Sequence, residues 1–352
     1  MRAPQVSIGK ITPPELPEVV LRRHLFELLD DKRHYRVTWI SSMAGSGKTT
    51  LIASYLYNSN IPCLWYQLDK GDDDIATFFY YLGIAAAKIA PQNRELMPTF
   101  TPQYLPGVSM FARRFFENLC SQLLAPFYIV FDNYHEIPPE SSFHEVFKSG
   151  LAGISPDIHV IILSRTTPPQ AFAGLFANKV IRIIGPKKLT LSLEESRELI
   201  QIETGEKLPP DVMKHVYEKT RGWAAGLVLM GSSVEKGNIH SFPAEEFIPE
   251  SIFGYFASEL FDKMNENFKD FLLKTAFLPR MTVSIARRLT GMNDAGKILS
   301  FLNSNHLFTG TFPAPVREYE YHPFPPLPRR TGRIIRLRVA LVIIVTHIIS
   351  AR

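Results

Sequence analysis

Short apolar runs alternate with helix-period segments over the first half of the chain. Val37-Thr-Trp-Ile-Ser41, Cys63-Leu-Trp-Tyr-Gln-Leu68, Phe127-Tyr-Ile-Val-Phe131, Ile158-His-Val-Ile-Ile-Leu163 and Lys179-Val-Ile-Arg-Ile-Ile184 read as strands. The third has five apolar residues in a row, as a strand covered on both faces of a parallel sheet requires. Helices are predicted over Val20 to Leu29, from Lys48 through Leu51, Ile52 and Tyr55, over Ile75 to about Ala90, and over Ser109 to Leu124. The pattern predicts an α/β fold with a parallel five-stranded sheet.

The periodicity changes after the fifth strand. Ser192 with Glu195 three residues later forms a capping box, and helical spacing continues to about residue 240. Thr220-Arg-Gly-Trp-Ala-Ala-Gly-Leu227 reads as a turn into an apolar helix. Short helices follow, among them Phe268–Leu278 and Ile298–Leu302, and then a strand-like pair, Leu307–Thr309 and Tyr319–Tyr321. Helices ending in a small hairpin suggest a winged helix. The expected domains are a lead-in over 1–35, a nucleotide-binding domain over 36–188, a helical domain over 189–245, a winged-helix-like domain over 246–322 and a tail over 323–352.

The chemistry begins where the first strand ends. Ser42-Met-Ala-Gly-Ser-Gly-Lys-Thr-Thr50 is a phosphate-binding loop between a strand and a helix. Gly45 and Gly47 permit left-handed backbone, so amides including that of Ser46 gather around phosphate, and the helix N-terminus adds positive charge. Lys48 can reach the phosphates, and the Thr49 hydroxyl can ligate Mg²⁺. Ser42 stands where the usual pattern has Gly, a minor departure since Ser is small.

Asp132 ends the Phe127–Phe131 strand, where open α/β sheets place ligands, and is the expected carboxylate supporting Mg²⁺. The next residue is Asn133. Hydrolysing relatives of this design carry a second acid there, and an amide orients water without acting as a base, so hydrolysis should be slow. Glu136 is an alternative base or a solvated loop acid. Arg165, after the fourth strand, either pairs with a terminal phosphate or makes a salt bridge at the sheet edge. Asp69 to Asp74 either touches Mg²⁺ or the attacking water, or forms a turn in which Asp74 caps the next helix. In the lead-in, Val20 and Arg22 either cover an adenine or belong to a plain surface helix.

Composition narrows the reading. The 352 residues are 45% hydrophobic, enough for two or three domains. Of the net +5, six arginines after Pro323 account for more than the whole, leaving 5 − 6 = −1 for the body, which shows no basic footprint for nucleic acid. Cys63 and Cys120 have neither zinc nor disulfide spacing, and together they suit a reducing cytosol. The apolar stretch from Val339 to Ile349 is shorter than the roughly 20 residues a membrane span needs.

The ordered set of motifs resembles one family, the signal-transduction ATPases of MalT-like, LuxR-type transcriptional regulators. The resemblance rests on Ser42–Thr50, Trp65-Tyr-Gln-Leu-Asp69, Phe131-Asp-Asn-Tyr-His135, Leu163-Ser-Arg165, Gly222-Trp-Ala-Ala-Gly-Leu227, Phe271-Leu-Leu-Lys-Thr275 and Tyr321-His-Pro323. It covers about residues 8 to 323 and implies a nucleotide-operated switch that holds ADP in a resting monomer and oligomerises with ATP and inducer. Under it, Lys48, Thr49 and neighbouring Thr50 hold phosphates, Thr49 and Asp132 serve Mg²⁺, and Arg165 senses the γ-phosphate. Gly222 and Trp223 pack near the base, and His322 touches a β-phosphate or is merely a hairpin residue. The expected function is a cytoplasmic ATP/ADP switch with at most slow ATPase activity and no DNA contact of its own. A conventional P-loop ATPase or kinase, and an inert remnant, stay as alternatives. After Pro323 the Arg/Ile/Val composition departs from the family, suggesting a frameshift or truncation that removes the sensor repeats and helix-turn-helix, or a membrane-surface tail.

Overall fold

The computed structural model describes residues 8–31, 35–89, 97–235, 265–275, 278, 280–304, 309–312 and 317–321. His322, the tail over 323–352 and the first part of the expected winged-helix region lie outside them. The chain divides into two compact units, one of Met1–Ser42 with Gly47–Leu189, the other of Met43–Ser46 with Thr190–Arg352.

The first unit is built on five parallel strands, β1 (Val37–Ser41), β2 (Cys63–Gln67), β3 (Phe127–Asp132), β4 (Ile158–Ser164) and β5 (Ile181–Ile184), in the order β2-β3-β4-β1-β5. Alternation along each strand divides the core in two. Trp39, Ile129, Phe131, Val160 and Ile162 face one side, where they meet the aromatic residues of α3 (Ile75–Ile89), α4 (Val108–Ser121) and α5 (Phe143–Leu151). Ile40, Tyr128, Val130, Ile161 and Leu163 face the other, against α1 (Arg23–Asp30) and α2 (Lys48–Asn58). Both faces are covered, so β3 and β4 are buried at every position. Short α6 (Ala173–Ala177) precedes β5, and α7 (Pro186–Leu189) closes the unit.

In this unit one expectation changes and one open alternative resolves. The first helix begins at Arg23 rather than Val20; the segment before it, with prolines at 13, 14 and 17, carries no helix or strand after the short turn at Gly9–Ile11, and the Arg23 amide closes a tight turn onto the Leu21 carbonyl at 3.0 Å. The acids of Asp69–Asp74 resolve into structural work. Asp69 and Asp72 receive the Lys10 amine, Asp72 also accepts the Tyr66 hydroxyl at 2.7 Å, Asp73 accepts Ser141, and Asp74 caps α3 through the Thr77 amide at 3.0 Å.

In the second unit, α8 (Leu193–Thr204), α9 (Pro210–Thr220) and α10 (Ala224–Glu235) enclose a core of Leu191, Ile200, Met213, Val216, Leu227 and Met230. The Ser192–Glu195 capping box is formed on both sides. A separate core of Phe271, Met281, Ala286, Ile298, Leu299, Leu302 and Tyr319 joins α11 (Glu266–Thr275), α12 (Val283–Thr290) and α13 (Ala295–Ser304). The hairpin pairs β6 (Thr309–Phe312) with β7 (Glu318–Tyr321); Leu307 and Phe308, the first two residues of the expected strand, lie outside the described residues. Alternation alone does not place a hairpin; Thr309 opposite Tyr321 does.

Candidate functional site

Parallel strands bring the ends of β1, β3 and β4 to one edge of the sheet. β4 lies between β1 and β3. The Ser42 amide donates to the Ser164 carbonyl at 3.3 Å, which extends the β1–β4 ladder one residue before the chain turns. Gly45 (φ +65°) and Gly47 (φ +77°) then take left-handed backbone, and Gly47 caps α2, its carbonyl accepting from Leu51 at 2.9 Å. Ser42 and Ser46 are buried, and Thr50 is exposed on the first turn of α2.

Lys48 folds back over the loop and donates to the Ser42 carbonyl at 2.8 Å. Burial lowers its pKa from 10.5 to about 8; the Arg165 charge pushes the same way, and Asp132 opposes them. The Thr49 hydroxyl donates to Asp132 Oδ2 at 3.0 Å, and the Asn133 amide donates to Asp132 Oδ1 at 2.8 Å. Asn133 sits at φ +59°, a conformation Asn tolerates better than most residues. Burial raises the Asp132 pKa, while Thr49, the Asn133 amide and Lys48 lower it. Burial outweighs these contacts and the net shift is upward, so the carboxylate carries a desolvation cost that a bound cation would relieve.

Among the described residues no cluster of three or more His, Cys, Asp or Glu side chains forms a cation cage. One hydroxyl and one carboxylate in direct contact are the donor set that fits Mg²⁺ shared with phosphate oxygens, since Mg²⁺ is bound by one or two carboxylates plus substrate.

Arg165 follows β4 within a turn that the Ser164 hydroxyl organises, accepting from the Thr166 amide at 3.0 Å. Trp39 pins the same turn, its indole donating to the Thr166 carbonyl at 3.1 Å. Arg165 is half-buried, and its charge is felt at Lys48. Glu136 lies 3.5 Å from the His135 ring. Arg22 is buried and donates to the carbonyls of Leu189 (2.8 Å) and Lys188 (3.3 Å), tying the lead-in to the end of α7; Val20 is half-buried beside it.

The segment entering α10 belongs to the second unit together with Met43–Ser46. Gly222 has φ +73°, and its carbonyl accepts from the Leu191 amide at 2.9 Å. Trp223 is buried and its indole donates to the Ala44 carbonyl at 2.9 Å. The Ala225 amide donates to the Gly45 carbonyl at 2.9 Å. Sequence reasoning assigned Trp223 to the base and missed these two carbonyl contacts; a tryptophan beside an obligatory turn glycine was the available signal. His322 lies outside the described residues.

Comparison with known proteins bears on this arrangement. Residues 257–324 match the model of the MalT winged helix domain, and residues 18–165 match that of the Nephrocystin 3 N-terminal region. The chain is 28% identical over 319 residues to the HTH-type transcriptional regulator MalT of Klebsiella pneumoniae, covering 88% of this chain and 35% of that one. In sequence, the chain is MalT-like. MalT of Yersinia enterocolitica matches similarly, at 27% over 318 residues, again with 88% and 35% covered. The MalT-like chain therefore spans about a third of the length of these relatives. A Walker-type ATPase of Pyrococcus abyssi shares the fold, with a TM-score of 0.54 at 13% identity over 88% of this chain and 96% of its own. No helix among the described residues is long and apolar enough to cross a membrane.

Proposed function

We propose that the chain is the ATP/ADP-binding switch portion of a MalT-like transcriptional regulator, working in the cytoplasm, self-associating on activation, and hydrolysing ATP slowly if at all. The observation that carries this reading is the Thr49–Asp132 hydrogen bond at the mouth of a glycine loop whose lysine is already folded over it. In this reading the loop amides and Lys48 hold the phosphates, and Thr49 and Asp132 hold Mg²⁺, which neutralises phosphate charge when bound. Arg165 faces the terminal phosphate. Asn133, whose side-chain carboxamide is not a base near neutral pH, supplies none, so nucleotide state and not turnover is the output. In this reading the chain makes no DNA contact of its own.

The test is to purify the chain, denature it and identify released nucleotide by chromatography, with Lys48→Ala as control, and to measure turnover with Mg²⁺-ATP. About one ADP per chain, absent from the variant, with turnover well below the roughly 1 s⁻¹ that ordinary enzymes reach, is the expected result. Turnover at or above that rate would favour a conventional ATPase or kinase. A chain that carries no nucleotide and ignores added ATP would refute the switch.

A further inference from the structure

The two hydrogen bonds from the α10 segment to the phosphate loop fall on particular peptide groups. A trans peptide is planar, with its C=O and N–H pointing in opposite directions. The Ala44 carbonyl shares a peptide plane with the Gly45 amide, and the Gly45 carbonyl shares one with the Ser46 amide. Holding the two carbonyls toward Trp223 Nε1 and the Ala225 amide, each at 2.9 Å, turns the two amides the other way. Gly45, at φ +65°, is the residue between these planes and the one whose backbone rotates most freely.

We propose that Trp223 is a positioning residue for phosphate binding: its indole, with the Ala225 amide, fixes the two loop peptides whose N–H groups receive the phosphate chain. The inference rests on the nucleotide-binding reading above and refines it, since Trp223 then acts on the loop and not on the base. Linkage makes the effect reciprocal. Phosphate that holds the Gly45 and Ser46 amides also keeps the carbonyls turned toward α10, so nucleotide occupancy and the seating of the α10 N-terminus stabilise each other. Ala225 lies in the first turn of α10, where its amide has no partner within the helix. The loop carbonyl satisfies it, and loss of the loop conformation would leave that donor unmet.

The experiment is calorimetric titration of the intact chain with ADP and with AMP. Trp223→Phe keeps an aromatic ring and removes the donor. Ala225→Pro leaves the indole in place and removes the other donor at a position where a helix tolerates proline. Each variant is expected to weaken ADP about 2- to 12-fold, the range of one net hydrogen bond, with stoichiometry near one and with AMP affected less than ADP. A folding defect would lower the stoichiometry and leave the ADP-to-AMP ratio alone. ADP affinity unchanged in both variants, or ADP and AMP weakened equally, would overturn the positioning role while leaving the nucleotide site standing. No ADP binding by the unmodified chain would overturn both.

Discussion

The buried amine of Lys48 makes nucleotide affinity depend on pH in a way the structure specifies. With a pKa of about 8, the amine is about nine-tenths protonated at pH 7 and about one-tenth at pH 9. The cause is burial first and the Arg165 charge second, so the loop holds its lysine at a cost. Between about 8 and 10.5 the unfolded chain binds more protons at this position than the folded one, so stability rises with pH across that window, by at most about 3 kcal/mol. A bound phosphate supplies the missing counter-charge and restores the protonated form. ADP affinity should accordingly fall about tenfold from pH 7 to pH 9, a range in which the phosphate itself is already ionised, its second pKa being near 6. Titration of ADP by calorimetry at pH 7, 8 and 9 measures this. Lys48→Arg keeps its charge throughout and should show a flat profile. A flat profile for the unmodified chain, or an equal decline in the arginine variant, would refute the assignment to Lys48.

Three other outcomes follow from named contacts. Asp132→Asn removes the charge that raises the Lys48 pKa, so the midpoint of the affinity-versus-pH curve should move below 8; the same variant should lose most of the Mg²⁺ enhancement of ADP binding while binding in EDTA is unchanged, and a midpoint that rises would contradict the electrostatics. Gly222→Ala places a Cβ 2.2 Å from the Leu191 carbonyl oxygen in a left-handed residue, and denaturant unfolding should show a loss of about 2 kcal/mol or more, against which an unchanged midpoint would argue. Lys10→Met strands the fully buried Asp72 carboxylate, with an expected loss of about 3 kcal/mol by the same measurement. Asp72→Asn in that background should recover part of it, and no recovery would mean that the ion pair is not what holds the lead-in.

Much of the site was legible because its residues are close in sequence or tied to strand ends. The spacing from Ser42 to Thr50 carries the loop whatever surrounds it, since glycines, lysine and helix start act within one turn of chain. Asp132 was legible because a strand buried on both faces ends there, and parallel pairing brings such ends to one edge. The capping box at Ser192 and the cap at Asp74 are local hydrogen bonds and were read as such. The acids at Asp69 and Asp72 were less so. Their choice between a cation and a lysine depended on Lys10, some sixty positions earlier, which no local pattern connects to them.

The sequence by itself determined the alternation of strand and helix, the phosphate loop and the acid that faces it. Those depend on backbone periodicity and on short-range chemistry. Tertiary structure alone decided that β4 separates β1 from β3, so that Thr49 reaches Asp132 past an intervening strand. It also decided that burial and Arg165 together lower the Lys48 pKa, and that Trp223 and Ala225 take the loop carbonyls. Burial, charge proximity and the partner of a carbonyl are properties of position in space, and residues nearly 180 apart in the chain acquire them only when it folds.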